Sequence, residues 1–253
     1  RGMTPHDWNA SDYDRTNAGI IALGIEVLDR LELSGDETVL DAGAGTGAVT
    51  QRLAARLPRG HAIAMDAAPQ MVAFARQRFE NTSNVEVFEA DLTDFDLESG
   101  KVDAVFSTAT FHWIADHDAL WRNLRRVMRD GAQLEAQCGG AGNIASVINV
   151  VEAIGGRPPY DAHVGGWTPQ NFAGPGETEA RMLAAGFSEA RAWLEARPIY
   201  PEDIGKHLRE VILGAHAERL PAGLFDRFAA EIDAALGDRN EVDYVRLNIS
   251  AVA

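Results

Sequence analysis

A single cysteine, Cys138, among 253 residues excludes an intramolecular disulfide, and neither a Cys/His zinc spacing nor a dithiol redox motif is present. That scarcity predicts a reducing, cytoplasmic setting. No apolar run approaches the ~18 residues of a membrane span, and no charged and apolar leader opens the chain. Basic residues are few: 23 Lys and Arg stand against 38 Asp and Glu, a formal net charge of −15. Phosphate backbones and anionic membrane surfaces are bound mainly through Lys and Arg, so this balance argues against nucleic acid and membranes as partners. What is abundant is ordinary for a folded protein. With 46% hydrophobic and 24% charged residues, the length suits one large α/β domain covering residues 1–253.

From about Asp36 short β-branched runs alternate with helical patterns, the rhythm of βαβ units and a parallel sheet. Strands are predicted near Thr38–Asp41, His61–Asp66, Val85–Ala90, Val102–Thr108 and Ala132–Gln137, with helices near Ala48–Arg56, Gln70–Arg78 and Asp118–Met128. In the last helix Leu120, Leu124, Val127 and Met128 share one face, as expected of a helix lying on a sheet. After Gln137 the rhythm breaks. A glycine-rich turn leads to an apolar helix near Ile144–Ile154, then to a stretch without period from Gly155 to Gly176, whose Tyr160, Trp167 and Phe172 argue against disorder and for a cover over a pocket. A helix near Glu177–Ala185, a strand near Ala190–Pro198 and helices near Pro201–Glu218 and Gly223–Leu236 follow. The closing run Val242–Ser250 alternates apolar and polar residues, which predicts an antiparallel edge or near-edge strand exposed on one face.

The strongest local signal is Asp41-Ala42-Gly43-Ala44-Gly45-Thr46-Gly47, a strand running into a glycine-rich turn that opens a helix. Lacking Cβ, glycine allows positive φ and lets a ligand lie against bare backbone at the helix N-terminus. The ligand itself is less obvious. Gly43-x-Gly45-x-x-Ala48 also satisfies the dinucleotide pattern, and Asp66 lies near the distance expected of a ribose-binding acid. Three features lean toward a different adenosine cofactor. Asp41 sits where a carboxylate repels pyrophosphate and suits a cationic ligand; Asp91-Leu92 ends the third strand, within reach of an adenine amino group; and Thr108 to Trp113 set an aromatic and histidine cluster at the same sheet edge, where open α/β sheets bind ligands.

Residues 36–138 resemble the class I S-adenosylmethionine-dependent methyltransferases, in their small-molecule group. The stretch 41–47 is similar to that family's first motif, Asp66 to its ribose-binding acid, Asp91 to its adenine-contacting acid and residues 107–113 to its motif after the fourth strand; Phe111 to His117 is similar to the segment of trans-aconitate methyltransferases. The resemblance implies a Rossmann-like sheet of seven mostly parallel strands in the order 3-2-1-4-5-7-6, the last antiparallel, with helices on both faces. It implies S-adenosylmethionine as cofactor, S-adenosylhomocysteine as product and a small-molecule acceptor, methylated at a carboxylate or hydroxyl oxygen. Residues 8–31 are then a helical cover, 36–138 the cofactor-binding half, and 143–176 with 201–237 a cap over the substrate. A nicotinamide-dependent oxidoreductase using the same glycines is the alternative, and a methyltransferase-like binding protein without turnover a third.

Site expectations follow. Asp41, Gly43, Ala44, Gly45, Gly47, Asp66, Ala67, Met71, Asp91, Leu92, Thr108 and Tyr13 are expected to contact the cofactor, although Met71 also reads as core filler. His112 is the candidate base or substrate hydrogen-bond partner, because an ordinary imidazole accepts a proton near neutrality. Trp113, Gln137, Asn143, His163 and Trp167 are expected to line the substrate site. Asp116, His117 and Asp118 read as a helix entry, and no metal is expected.

Overall fold

The structure, a computed structural model, describes residues 18–253. Helix α1 (Ala18–Leu28) precedes β1 (Thr38–Ala42), α2 (Thr50–Ala55), β2 (His61–Asp66), α3 (Pro69–Arg78), β3 (Val85–Glu89), β4 (Val102–Thr108), α4 (His117–Val127) and β5 (Met128–Gly139). These strands form one sheet because β1, β2 and β4 are apolar almost throughout, as strands covered on both faces must be. On one face Val39, Ala62, Ala104 and Phe106 pack against Val27 and Leu28 of α1 and Leu53 of α2. On the other, Leu40, Ile63 and Val105 join Leu120, Trp121, Leu124 and Val127 of α4. The amphipathic stripe of α4 is buried as its spacing predicts, and the helix begins where Asp116 accepts the amide of Ala119 at 2.8 Å. That bond makes Asp116 a helix cap.

The chain continues through α5 (Ala145–Gly155), α6 (Asp161–Val164), α7 (Pro175–Ala184), β6 (Glu189–Ala196), α8 (Ile204–His207), α9 (Gly214–Arg219), α10 (Ala222–Leu236) and β7 (Val245–Val252). The sheet order is β3-β2-β1-β4-β5-β7-β6, with β7 antiparallel to both neighbours. This is the predicted topology. Elements α5, α6, α8 and α10 enclose a second apolar cluster with Val147, Val151, Leu208, Ile212, Phe228 and Ile232 at its centre. Tyr160 fixes the patternless stretch to that cluster: its ring lies 5.0 Å from Phe228 and its hydroxyl donates to Glu231 at 2.9 Å.

Three expectations need correction. The strand placed at Ala132–Gln137 begins at Met128, since Arg129, Asp130 and Gly131 form an irregularity between the pairs Val102/Met128 and Ala104/Gln133. The single helix Pro201–Glu218 is broken by a π-turn at Leu208–Ile212, where the Leu213 amide reaches back to the Leu208 carbonyl at 2.8 Å. The wider turn keeps Leu208, Ile212 and Leu213 all inside the cluster. Finally, β7 is not half exposed. Arg246 and Asn248, read as a solvent face, are buried between β5 and β6, where their polar groups meet other polar side chains.

Candidate functional site

The glycine turn follows β1 with three residues in the left-handed region, Gly43 at φ +86°, Gly45 at +55° and Gly47 at +79°. Their surroundings differ. A Cβ on Gly43 would lie 2.1 Å from Thr110 Oγ1 and one on Gly47 2.4 Å from the Phe79 ring, whereas one on Gly45 would meet nothing within 4 Å. Gly43 and Gly47 therefore serve packing, and Gly45 faces open space in which a ligand can lie on the backbone. Gly45→Ala is accordingly expected to keep the fold, losing about 1 kcal/mol to the positive φ, while its methyl group obstructs the cofactor; Gly43→Ala is expected to lose folding stability as well. Calorimetric titration with S-adenosylhomocysteine beside thermal melting separates the two, and equal melting losses would refute the distinction.

Asp66, at the end of β2, fixes this turn. Its two oxygens accept the amides of Gly45 at 2.8 Å and Ala68 at 2.9 Å. Burial pushes its carboxyl above the ordinary value, and those amides, with that of Ala67, oppose the rise. The amides of Gly43 and Ala44 both reach the Met65 carbonyl, so the turn is tied to β2 twice over. Asp41 points inward instead: it is 1% exposed, accepts the Thr50 hydroxyl at 2.6 Å, and burial pushes its pKa up to about 7. Its charge is thus partial at neutrality.

Asp91 is exposed and accepts the amide and hydroxyl of Thr93 through one oxygen, at 2.8 and 2.7 Å, while Leu92 is buried beside it. Met71 is buried with Ala68 and partly buried Phe74, as core filler would be; Ala67 is half-buried. Thr108 ends β4 and faces α1, its methyl carbon 3.1 Å from where a Cβ on Gly24 would stand. Tyr13 lies outside the described residues.

His112 sits in a three-residue 3-10 turn, Phe111–Trp113, just past β4. The Gly139 amide donates to its Nδ1 at 3.2 Å. Its ring stacks on Phe172 at 5.8 Å and 27° and lies 5.2 Å from that of Trp113. Burial, reinforced by the charges of Arg246 and His117, pushes its pKa down to about 3. At neutral pH the imidazole is uncharged, its Nδ1 lone pair is engaged by the Gly139 amide and its proton is on Nε2, an arrangement that suits the hydrogen-bond partner of the two expected roles.

The remaining expected substrate residues are spread out. Gln137 is buried within a network, donating to Asn248 Oδ1 at 2.8 Å. Asn143 is buried and accepts the Val245 amide at 2.9 Å, joining the loop after β5 to the start of β7. His163 is half-buried on α6. Trp167 packs 5.2 Å from the His216 ring, with the Arg219 guanidinium 4.3 Å above it, so it belongs to the second cluster. Sequence reasoning gave no role to Thr50, which carries no motif, and took Arg246 for surface; Thr110 and Phe172 it placed in the segment after the fourth strand and in the cover, without the partners they have here.

Residues 39–131 match the family described as methyltransferase domain. An uncharacterized methyltransferase, C70.08c, from Schizosaccharomyces pombe is 30% identical over 193 residues, 72% of either chain. The chain belongs to the class I S-adenosylmethionine-dependent methyltransferases. The malonyl-[acyl-carrier protein] O-methyltransferase of Geobacter sulfurreducens is 30% identical over 80% of this chain and 75% of its own. A trans-aconitate 2-methyltransferase from Acidovorax sp. is also 30% identical, over 52% of this chain and about half of that relative, 50%. Among solved structures the YcgJ protein of Bacillus subtilis shares the fold, with a TM-score of 0.65 at 15% identity, over 91% of this chain and 97% of that one. The methyltransferase uses S-adenosylmethionine, which removes the nicotinamide alternative. The open backbone at Gly45 beside the Asp66 carboxylate fits such a group. Among the described residues no helix is long and apolar enough to cross a membrane, and no cluster of His, Cys, Asp or Glu has metal-binding form.

Proposed function

We propose that this methyltransferase methylates an oxygen atom of a small molecule, a carboxylate or a hydroxyl. The observation that carries the reading is that the glycine turn, Asp66 and His112 all lie at the carboxyl ends of β1, β2 and β4, one edge of the sheet. When bound, S-adenosylmethionine supplies a methyl group on cationic sulfur, open to in-line displacement. The chain's own task is placement. Gly45 admits the cofactor to the backbone, Asp66 accepts ribose hydroxyls while holding the turn, and Asp91 and Leu92 border the adenine. Phe172 and Trp113 keep water from the His112 ring. Such orientation in a dry site is worth on the order of 7–11 kcal/mol. The relatives named for trans-aconitate and for a malonyl thioester support an acidic acceptor.

The test is a screen of small acids, phenols and alcohols with methyl-labelled S-adenosylmethionine, read by mass spectrometry. The expected outcome is a gain of one methylene unit on an oxygen acceptor. Binding of S-adenosylhomocysteine with transfer only to nitrogen or carbon acceptors would overturn the proposal.

A further inference from the structure

We propose that β6 is a self-association edge, at which two copies of this chain pair their β6 strands antiparallel about a two-fold axis at Trp193. Strand β6 closes one side of the sheet, with β7 as its one neighbour. Just past its end, the Arg197 amide donates to the Tyr244 carbonyl at 2.8 Å and the Ile199 amide to that of Val242 at 3.1 Å. Backbone groups alternate in direction along a strand, so odd-numbered positions are spent on β7, while Ala190, Ala192, Leu194 and Ala196 turn theirs outward. Such an edge is a template for another strand.

The side chains select a second copy as the occupant. Pairing centred on Trp193 sets Glu189 opposite Arg197 of the other chain and Arg191 opposite Glu195, while Ala190 meets Ala196 and Ala192 meets Leu194. Symmetry repeats each pair, so every charge in the row faces its opposite. Glu189 and Arg191 are exposed; Arg191 lies 5.2 Å over the Trp193 ring, and Arg197 holds Glu195 at 2.8 Å and Glu26 at 3.1 Å. The charges of Glu189, Arg191, Glu195 and Arg197 sum to zero in a chain whose net charge is −15, so two copies meet here without the repulsion they carry elsewhere. Strand β3, at the opposite side of the sheet, has Glu86 and Glu89 and no base, and offers its own copy no such match.

Apolar exposure is concentrated on the same edge. Among the described residues the exposed large apolar side chains are Leu194 on β6, Ile199 and Tyr200 just beyond its end, and Leu183 on α7 shortly before its start. The two-fold axis lays each end of β6 beside the opposite end of the other strand, so Ile199 and Tyr200 come to the turn that follows Leu183. Two devices limit the ladder. Glu179 of α7 accepts the Ala192 amide at 2.8 Å and has to yield it to the Leu194 carbonyl of the other chain; Pro198, without an amide, stops the pairing past Ala196. The edge is thereby guarded in the monomer and complete only in the pair.

The full chain is followed by sedimentation velocity across a wide range of concentration. A reversible shift toward twice the monomer mass is expected. Arg191→Glu and Glu195→Arg each set like charges opposite one another and should each weaken self-association tenfold or more; mixed in equal amounts, the two variants should associate again, because the exchanged charges then meet across the axis. Glu179→Ala, which frees the Ala192 amide, should tighten the pair. Register is read separately. Trp193→Cys should form an interchain disulfide on mild oxidation, since Cα atoms directly opposite in such a pair lie about 4.5 Å apart, whereas Ala190→Cys should not; Cys138 is buried and stays out of the reaction. A folding loss in a charge variant shows in its melting curve and leaves the cross-linking to decide. A monomer at every concentration, a dimer indifferent to both charge reversals, no recovery on mixing folded variants, looser pairing in Glu179→Ala, or equal cross-linking at the two positions would overturn the proposal.

Discussion

Asp66→Ala is expected to weaken S-adenosylhomocysteine binding by two to three orders of magnitude in calorimetric titration. The carboxylate has two tasks that an alanine drops together. It is positioned to accept ribose hydroxyls, each charge-assisted bond being worth roughly 1.5–3 kcal/mol, and every 1.4 kcal/mol is about tenfold in affinity. It also anchors the turn through the amides of Gly45 and Ala68. Asp66→Asn separates the tasks: one oxygen remains to hold one amide, so stability should be largely kept while affinity still falls. Near-normal affinity in the alanine variant would show that the ribose lies elsewhere.

His216→Phe is expected to flatten the loss of stability at acid pH. The His216 side chain is 2% exposed, lies 5.2 Å from Trp167 and 5.7 Å from Phe228, and its Nδ1 is buried without a hydrogen-bond partner. Burial first, and then the charge of Arg219, push its pKa down to about 4 from 6.5. A folded-state value below the unfolded one means that the unfolded chain binds the proton first. Stability is therefore complete above pH 6.5, falls as pH drops from 6.5 toward 4, and levels below; the group accounts for about 3 kcal/mol over that window. Asp41 acts in the opposite sense, because its pKa is raised to about 7: it favours the folded state at low pH and loses that contribution between the ordinary carboxylate value and 7. The contrast between variant and parent isolates His216, since Asp41 and His112 are common to both. Urea unfolding at pH 7.5 and 4.5 should show a parent loss larger by about 2–3 kcal/mol. Parallel losses would mean that His216 takes up its proton freely.

The cofactor half was largely legible because its signals are local. Asp41 to Gly47 must turn a strand into a helix within a few residues, and the spacing of glycines records that need directly. The apolar stripe of α4 and the Asp116 cap are equally local, and both stand where the pattern puts them. The acceptor side was not legible. Gln137 looked like a substrate contact because it ends a predicted strand beside a glycine cluster, and the structure shows that Asn248, 111 residues away, holds it in a network. Arg246 looked like surface because it alternates with apolar residues, and alternation cannot tell water from a buried polar layer.

By itself the sequence determined the succession of strands and helices, the glycine turn and an acid at the end of β2, since strand periodicity, glycine's missing Cβ and the position of an acid after a strand are properties of short segments; the sheet order was legible only through the resemblance to the methyltransferase family. Only the tertiary structure decided which of three similar glycines faces open space, that His112 is an N–H donor with its other nitrogen engaged, and that Arg246 is buried opposite Gly139. Those facts depend on Thr110, Phe79, Gly139 and β7 arriving from distant parts of the chain. A proton's place on an imidazole is set by the neighbour that meets the other nitrogen, and that neighbour is chosen by the fold.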